Sequence, residues 1–259
     1  MSWHAAVDFK KASARSTDRA PFHDYGKVLK VGSDMIVTAL SDGTNQARFA
    51  HIGAKTAVRS ALAELARRRD DLETVARQPK SEFAKPLFAA LCQEVRSALK
   101  AVAADRLAPL EALSATLIVM VASPNGLAAM RIGDGFIVYR QSGRRYEMMF
   151  KRRNPDEPPA FVTAEDAAEK MQVSARPGMA EFLCASTDAL KPLSIREPER
   201  QPRTPFFRPL DQCTALAKTD DDVHRGIRAF LRSDQLSDGI DKDCTLMLGT
   251  YRAETRLAA

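Results

Sequence analysis

Strand-like runs in this sequence come in consecutive groups, and this grouping limits the folds that the chain can adopt. One group precedes two long segments of helical periodicity, a second group follows them, and a helix and a strand close the chain. Strands that follow each other closely pair through short turns, so antiparallel sheets covered by helices are expected, which is an α+β architecture. The predicted elements are strands 3–9, 27–31 and 35–40, helices 46–69 and 83–102, strands 115–123, 127–132, 136–140, 144–150, 171–175 and 181–186, helix 220–231 and strand 244–251.

Several segments between these elements carry local predictions. Residues 115–150 are expected to form an antiparallel meander with residues 133–135 as one of its turns. Residues 151–159 are charged and proline-rich, which predicts a loop or an exposed flap. Residues 202–209 are predicted to be irregular but to pack back onto the body through two phenylalanines. Asp220 is the expected N-cap of the last helix.

Composition argues against several classes of protein. Hydrophobic residues make up 45% and charged residues 28% of the 259 positions, which is ordinary for a soluble domain. No apolar run approaches the roughly 20 residues that span a bilayer, and the N-terminal segment lacks the apolar core of a signal peptide. The four cysteines form no Cys-x-x-Cys pair and are interpreted as reduced core thiols. We therefore expect one cytoplasmic domain over residues 1–259, with a small flap near 151–180 and no membrane association.

The net charge of +6 is modest and comes mostly from arginine, with dense runs at residues 67–69 and 151–153. Binding of nucleic acid would favour a basic stripe interleaved with aromatic residues, but aromatics are only 7% and neither run contains one. These runs are interpreted as solvated ends of elements, with attraction to an acidic or phosphorylated partner as the alternative. No nucleic-acid partner is expected.

Acidic residues lie at the ends of several apolar, strand-like runs. Asp42, Asp134 and Asp188 each follow such a run, and Asp241 and Asp243 precede the last one. Carboxylates at one rim of a sheet have no cations of their own, so a shared metal site would satisfy them.

Each aspartate also has an ordinary structural interpretation. Asp42 could cap the helix expected near Gln46, Asp134 could be a hairpin tip, and Asp188 could cap a short helix. Asp241 and Asp243 could belong to a solvated turn. Caps and tips do not require an apolar strand beside every one of these aspartates, so the joint pattern favours the metal site.

In these motifs and their order the sequence resembles the metal-dependent type 2C protein phosphatases. The likeness runs over nearly the whole chain, and the segments Met1-Ser2-Trp3 and Pro205-Phe206-Phe207 look most like an atypical small bacterial subgroup. The motifs that carry it are, in chain order, Pro21-Phe22-His23-Asp24, residues 35–43 running into Gly53-Ala54, residues 115–117 through Gly133-Asp134-Gly135, Thr187-Asp188, and Asp243-Cys244-Thr245-Leu246.

The resemblance implies a four-layer α-β-β-α sandwich, with two antiparallel sheets face to face and helices outside both. It also implies hydrolysis of phosphoserine and phosphothreonine by water that two Mg²⁺ or Mn²⁺ ions activate. By this likeness Asp42 bridges both ions, the Gly43 carbonyl binds one, Asp24 holds the second ion largely through water, and Asp188 and Asp243 hold the first.

Four further residues have weaker assignments from the same resemblance. Asp134 matches an accessory position for a third ion, and Asp241 can replace Asp243 as a ligand by a small shift of register. Arg15 lies nine residues before Asp24 and is the candidate phosphate contact, with Arg19 as its rival and surface solvation as the ordinary interpretation of both.

Three positions depart from the family pattern. Asn45 follows Asp42-Gly43-Thr44 where a second glycine is common, and Ala189 replaces the glycine after Asp188. Lys242 stands where the closing motif has its first acidic residue, and its charge could take the place of a metal. The alternative function is therefore a degenerate phosphatase that binds a phosphoprotein or a partner kinase without turnover.

The resemblance extends to partners. It implies a phosphoprotein substrate, a partner serine/threonine kinase and a protein with a von Willebrand-type adhesion domain.

Overall fold

Two antiparallel sheets of five strands each form the centre of the protein. The computed structural model describes residues 2–12, 21–151, 160–197, 199–233, 236 and 240–252. The first sheet has the strand order β1-β12-β9-β6-β7 and the second the order β2-β3-β4-β5-β8, while β10 and β11 form a separate small ribbon. The strands are β1 (Ser2–Lys10), β2 (Asp24–Val31), β3 (Met35–Asp42), β4 (Leu117–Ser123), β5 (Gly126–Ile132), β6 (Phe136–Gln141), β7 (Glu147–Met148), β8 (Gln172–Pro177), β9 (Ala180–Ser186), β10 (Ile195–Arg196), β11 (Gln201–Pro202) and β12 (Cys244–Arg252).

Helices cover the outer face of each sheet. The first three pack against the β2-β3-β4-β5-β8 sheet, and the last two pack against the other sheet. The helices are α1 (Ala50–Arg67), α2 (Arg69–Arg77), α3 (Ser81–Asp105), α4 (Lys191–Ser194), α5 (Thr204–Leu216) and α6 (Asp220–Leu231). Among the described residues, no helix is long and apolar enough to cross a membrane.

The layers enclose three apolar cores. One lies between α1–α3 and their sheet, one between the two sheets, and one between the first sheet and α5–α6. Strand β4 shows why its sequence is apolar without interruption. Val119 faces the helix-covered core and Ile118 faces the core between the sheets, so both faces of the strand are buried. The predicted α-β-β-α layering is confirmed.

The predicted meander over residues 115–150 is wrong at one turn. Strands β4 and β5 pair as expected, but β6 leaves that sheet and pairs with β9 and β7 in the other one. Residues 133–135 therefore connect the two sheets and are not a hairpin turn. Period-two patterning identifies a strand but carries no information on the sheet that the strand joins.

Helix predictions needed four corrections. The helix expected at 46–69 begins later, at Ala50, and a second helix, α2, follows it directly. Residues 202–209 are not irregular, because α5 starts at Thr204 with Pro205 in its first turn, where proline is tolerated. The buried Phe207 does pack back as predicted. Asp220 is not the N-cap of α6, since Thr219 caps it in a reciprocal arrangement with Asp222.

The strand expected at 144–150 is mostly absent, and turns follow at 162–163 and 165–169. Strand β7 is only two residues long. Ala160, Val162 and Ala167 lie buried in the core beneath α1–α3, and residues 152–159 lie outside the described part of the chain.

Replacing Gly133 by Ala should destabilise the protein more than replacing Gly143 by Ala. Both glycines have positive φ, +100° and +67°, so either substitution costs about 1–2 kcal/mol of backbone strain. A Cβ at Gly133 would also lie 2.5 Å from Thr116 Cγ2, whereas nothing lies within 4 Å at Gly143. This overpacking should add roughly 1–3 kcal/mol, measured by urea unfolding. Equal losses in the two variants would show that the crossover tolerates the added methyl group.

Candidate functional site

Asp24 and Asp42 face each other at the open end of the β2-β3 hairpin. Strand β2 begins at Asp24, strand β3 ends at Asp42, and the two residues are direct partners in the antiparallel register. The backbone N–H of Asp42 donates to Thr116 Oγ1 at 3.0 Å, which ties this end to the segment before β4. The side chain of Asp24 is almost fully buried, with 3% of its surface exposed. Strand pairing therefore places two carboxylates side by side in the interior.

Two threonines of the opposite sheet hold one oxygen of Asp24. Thr187 Oγ1 and Thr245 Oγ1 donate to Asp24 Oδ2 at 2.7 Å and 3.0 Å. Thr245 N–H donates to Thr187 Oγ1, so the two threonines are themselves connected. The other oxygen, Asp24 Oδ1, is buried and has no hydrogen-bond partner within the described part of the chain. The carboxylate is thus fixed in orientation, with one oxygen left over for a ligand.

Burial and mutual repulsion raise the pKa of both carboxyls. Burial raises the pKa of Asp24 well above its usual value, and the negative charge of Asp42 raises it further. For Asp42, burial and then the charge of Asp188 raise the pKa to about 6. Burial is the largest cause of both shifts, while the positive charge of Lys242 acts in the opposite direction and lowers the pKa of Asp42.

Lys242 supplies a positive charge at the next carboxylate. Asp188 opens a short 3₁₀ helix, Asp188–Leu190, directly after β9, and Lys242 Nζ donates to Asp188 Oδ2 at 2.9 Å. This hydrogen bond is the main cause of a raised pKa for Lys242. Asp188 Oδ1 is buried and has no hydrogen-bond partner among the described residues.

Asp243 is engaged by the backbone. Its Oδ1 accepts from the N–H of Ala12 at 2.9 Å, and its Oδ2 accepts from the N–H of His23 at 2.8 Å. It therefore anchors the segment after β1 and the segment before β2. Asp241 is exposed and does not line the cleft described next, so Asp243 is the nearer of the two candidate ligands.

Asp42, Asp134, Asp188 and Asp243 line one cleft of about 270 Å³ that is open to solvent, whereas Asp24, the buried partner of Asp42, is not among the lining residues. Asp134 reaches it from the crossover between β5 and β6. His23 and Asn45 line it as well, with 3.1 Å between His23 Nδ1 and Asn45 Oδ1. The residues around the cleft are His23, Asp42, Gly43, Thr44, Asn45, Gln46, Thr116, Gly133, Asp134, Gly135, Phe161, Asp188, Lys242 and Asp243.

The ordinary structural interpretations of Asp42 and Asp134 do not fit this geometry. Helix α1 starts at Ala50 and has Phe49 as its N-cap, so Asp42 does not cap it. Asp134 lies between sheets and is not a hairpin tip. The short helix that Asp188 was expected to cap begins at Asp188 itself and has Thr187 as its N-cap, so the capping interpretation of Asp188 is wrong as well.

The structure describes Ala189 but not the two candidate phosphate-binding arginines. Ala189 lies in the 3₁₀ helix and is not among the described residues with positive φ, so the missing glycine causes no backbone strain there. Arg15 and Arg19 fall outside the described residues. The sequence interpretation gave no role to Thr116 or Thr245, which position Asp42 and Asp24; hydroxyl residues at buried strand ends were the available signal.

The side chains fit a divalent cation at one end of the cleft but not at the other. Asp24, Asp42 and the neighbouring Gly43 carbonyl offer only oxygen donors, which Mg²⁺ and Mn²⁺ prefer. At the other end, an ammonium group rests on Asp188 and both oxygens of Asp243 accept backbone hydrogen bonds. At neither end does a group of three His, Cys, Asp or Glu side chains within the described ranges surround one ion position, so an ion at Asp24 and Asp42 would also need backbone or water oxygens as ligands.

Known proteins show the same family and fold. Serine/threonine-protein phosphatase 3 of Escherichia coli (strain K12) is 27% identical over 139 residues, which is 52% of this chain and 55% of that relative, about half of each. The crystal structure of serine/threonine phosphatase Stp1 from Staphylococcus aureus superposes with a TM-score of 0.63 at 11% identity, covering 98% of this chain and 96% of the other. The catalytic domain of the phosphatase PstP, solved with two manganese ions, gives 0.58 at 16% identity, covering 96% and 97%.

The family assignment rests on the match to a family model. Residues 13–232 match the model described as Protein phosphatase 2C, while Lys242 and Asp243 lie beyond the matched residues. The match includes Asp42 and Asp188, which line the cleft, and Asp24, which lies opposite Asp42 in the β2-β3 hairpin. The chain belongs to the protein phosphatase 2C family.

Proposed function

We propose that this protein is a metal-dependent serine/threonine phosphatase that hydrolyses phosphomonoesters. The observation that carries the proposal is the adjacent pair Asp24 and Asp42, whose pKa values are both raised, first by burial and then by neighbouring negative charges. Such a pair costs stability unless it binds something positive. Perturbed carboxyls in an open cleft mark a functional site, and family membership narrows the chemistry to phosphoester hydrolysis.

The residues proposed to hold the metal ion are Asp42, the Gly43 carbonyl and Asp24, with Asp134 as an accessory ligand. The Asp188 carboxylate lines the same cleft and accepts a hydrogen bond from Lys242. A bound Mg²⁺ or Mn²⁺ ion lowers the pKa of a water molecule and offsets charge on the phosphoryl oxygens. The manganese ions of the PstP structure support this choice of metal class. Thr187 and Thr245 hold the Asp24 carboxylate in one orientation, so that its remaining oxygen is positioned before any ligand arrives.

The cleft suits a phosphorylated side chain presented on a protein surface. It is open to solvent, so a phosphoserine or phosphothreonine can enter without a conformational change in the buried sheets. The ammonium group of Lys242 at its edge can donate to a phosphate oxygen while it remains beside Asp188. A phosphoprotein substrate follows from this proposal, whereas the partner kinase and the von Willebrand-type protein stay predictions.

One observation favours a second candidate function. The ion pair between Lys242 and Asp188 reduces the oxygen donors available for a second ion. A family member with this arrangement could bind a phosphoprotein or a kinase without hydrolysing it.

The Asp24 and Asp42 pair has a consequence for stability. In the unfolded chain an aspartate ionises near pH 3.9, whereas Asp42 in the folded protein has a pKa of about 6. Between these values the folded protein binds more protons than the unfolded chain, so the free energy of unfolding falls as pH rises. A divalent cation that binds the ionised pair should reverse the loss at neutral pH.

Asp42→Ala and Asp188→Ala should each lower p-nitrophenyl phosphate turnover by roughly 100-fold or more, because the first removes a metal ligand and the second removes the carboxylate that holds the Lys242 ammonium group at the cleft. The assay compares EDTA, Mg²⁺ and Mn²⁺, and wild-type turnover should require one of the two metals. Asp105→Ala, an exposed aspartate at the end of α3, is the matched control and should keep full activity. Undiminished turnover in both cleft variants would disprove the proposal, and no turnover in folded wild type would favour the binding function.

Asp42→Asn should stabilise the metal-free protein by about 2–3 kcal/mol at pH about 7.5, because it removes the charge whose burial raises the pKa. Urea unfolding in EDTA across pH 5 to 8 should show a fall in stability for wild type and a smaller fall for the variant. Mn²⁺ should raise the melting temperature of wild type more than that of Asp42→Asn. Wild-type stability that is flat or rises over this range would contradict the proposed electrostatics; Asp105→Asn should behave as wild type.

A further inference from the structure

We propose that the Lys242 ammonium group permanently occupies one of the two cation positions of this cleft, so that the wild-type chain binds a single divalent ion. This inference rests on the metal binding in the proposed function. It concerns the Asp188 end of the cleft, and the remaining ion belongs to Asp24, Asp42 and the Gly43 carbonyl.

Lys242 lies directly beside Asp188 in the cleft. Lys242 Nζ lies 2.9 Å from Asp188 Oδ2, and both residues line the cleft together with Asp42. An ammonium group, like a metal ion, is surrounded by oxygen atoms in a protein. It binds them by donating three N–H hydrogen bonds, and it cannot coordinate a water molecule or a phosphate oxygen as a metal ion does. A divalent ion beside Asp188 would therefore meet a fixed positive charge within a few ångströms.

The neighbouring carboxylate, Asp243, is held by backbone hydrogen bonds. Asp243 directly follows Lys242, but its two oxygens accept the N–H groups of Ala12 and His23. Turning Asp243 toward an ion would leave these two backbone donors without their acceptor, at a cost of about 1–3 kcal/mol for each buried donor. Asp243 is thus fixed in its present orientation by the segments around β1 and β2, and it cannot turn toward an ion at the Asp188 end without losing these hydrogen bonds.

Asp24 and Asp42 differ from Asp188 in having no ion pair with a lysine or arginine among the described residues. Only 3% of the surface of Asp24 is exposed, and its Oδ1 has no hydrogen-bond partner in the described ranges. Asp42 lies directly opposite it across the hairpin. Asp188 Oδ1 also lacks a hydrogen-bond partner among the described residues, but the Asp188 carboxylate already has an ion pair with Lys242, and this ion pair is what distinguishes it from Asp24 and Asp42.

In substrate binding, Lys242 takes over one role that a metal ion at this position would have, which is to contact a phosphate oxygen. It can donate hydrogen bonds to a phosphate oxygen, but it cannot activate water as a metal ion does. Lys242 is accordingly a positioning residue at the Asp188 end, and the activation of water is left to the single ion.

The test counts bound manganese. Wild type, Lys242→Asp and Lys242→Met are each loaded with Mn²⁺, desalted and measured by isothermal titration calorimetry and elemental analysis. We expect one ion per chain for wild type and one additional ion for Lys242→Asp, because the substitution removes the cation and adds a carboxylate. Lys242→Met removes the charge without adding a ligand, and it should bind the additional ion more weakly than Lys242→Asp.

The control is Lys30→Asp, which makes the same charge change at another lysine–aspartate pair. Lys30 Nζ lies 2.7 Å from Asp220, and neither residue lines the cleft. This variant should bind the same number of ions as wild type. Electron paramagnetic resonance supplies a second readout: wild type should show the hyperfine pattern of isolated Mn²⁺, and Lys242→Asp the broadened spectrum of a coupled pair.

The outcomes separate this inference from the proposed function. Equal manganese counts in wild type and Lys242→Asp, or two ions in wild type, would overturn the inference even if the enzyme is active. One additional ion in Lys242→Asp supports the inference, even if wild type proves inactive toward phosphomonoesters. Activity of the wild-type protein thus decides the proposed function, and the difference in metal count decides the role of Lys242.

Discussion

The hydrogen bonds from Thr187 and Thr245 to the Asp24 carboxylate are the interaction on which the site depends. Asp24 belongs to the sheet that contains β2, whereas Thr245 lies in β12 and Thr187 follows β9, both in the other sheet. The sheets approach closely here, since a Cβ at Gly26 would lie 2.9 Å from Thr245 Cγ2. The same contacts thus join the two layers and orient the acidic residue at their edge. Strand β2 carries Asp24, and the two threonines associated with the other sheet hold its carboxylate. The two buried sheets therefore fix the position of this carboxylate, and the loops around the cleft do not.

The charge balance of the cleft follows from this arrangement. Asp24, Asp42 and Asp188 place three carboxyl groups in or beside the interior, and Lys242 forms an ion pair with one of them, Asp188. Lys242 is 53% exposed, so its ion pair with Asp188 contributes modestly to stability, on the order of 1 kcal/mol or less. Its importance is local, because it decides whether Asp188 faces a metal ion or an ammonium group. The other two carboxylates remain without a cation, and that imbalance favours metal binding.

Much of this structure could be predicted from the sequence, and the failures have physical causes. The strand ends at Asp42 and Asp188 follow from local apolar runs, so these positions were identified correctly. The move of β6 to the other sheet was missed because alternation along a strand does not reveal its partner. Helix α5 was missed because Pro205 and Pro209 resemble helix breakers, although the first lies in the first turn where no donor is needed. The role of Asp243 as an acceptor for two backbone amides depends on contacts across more than 200 residues, which no local pattern contains.

An anomalous difference map at the manganese edge, from crystals of the wild-type protein grown with Mn²⁺, tests the central claim most directly. We expect one peak, bounded by the carboxylates of Asp24 and Asp42 and the Gly43 carbonyl, with Lys242 Nζ still beside Asp188. A second peak of similar height between Asp188 and Asp243, with Lys242 displaced, would contradict the assignment of that position to the lysine. Absence of any peak at Asp42 would contradict the metal site itself.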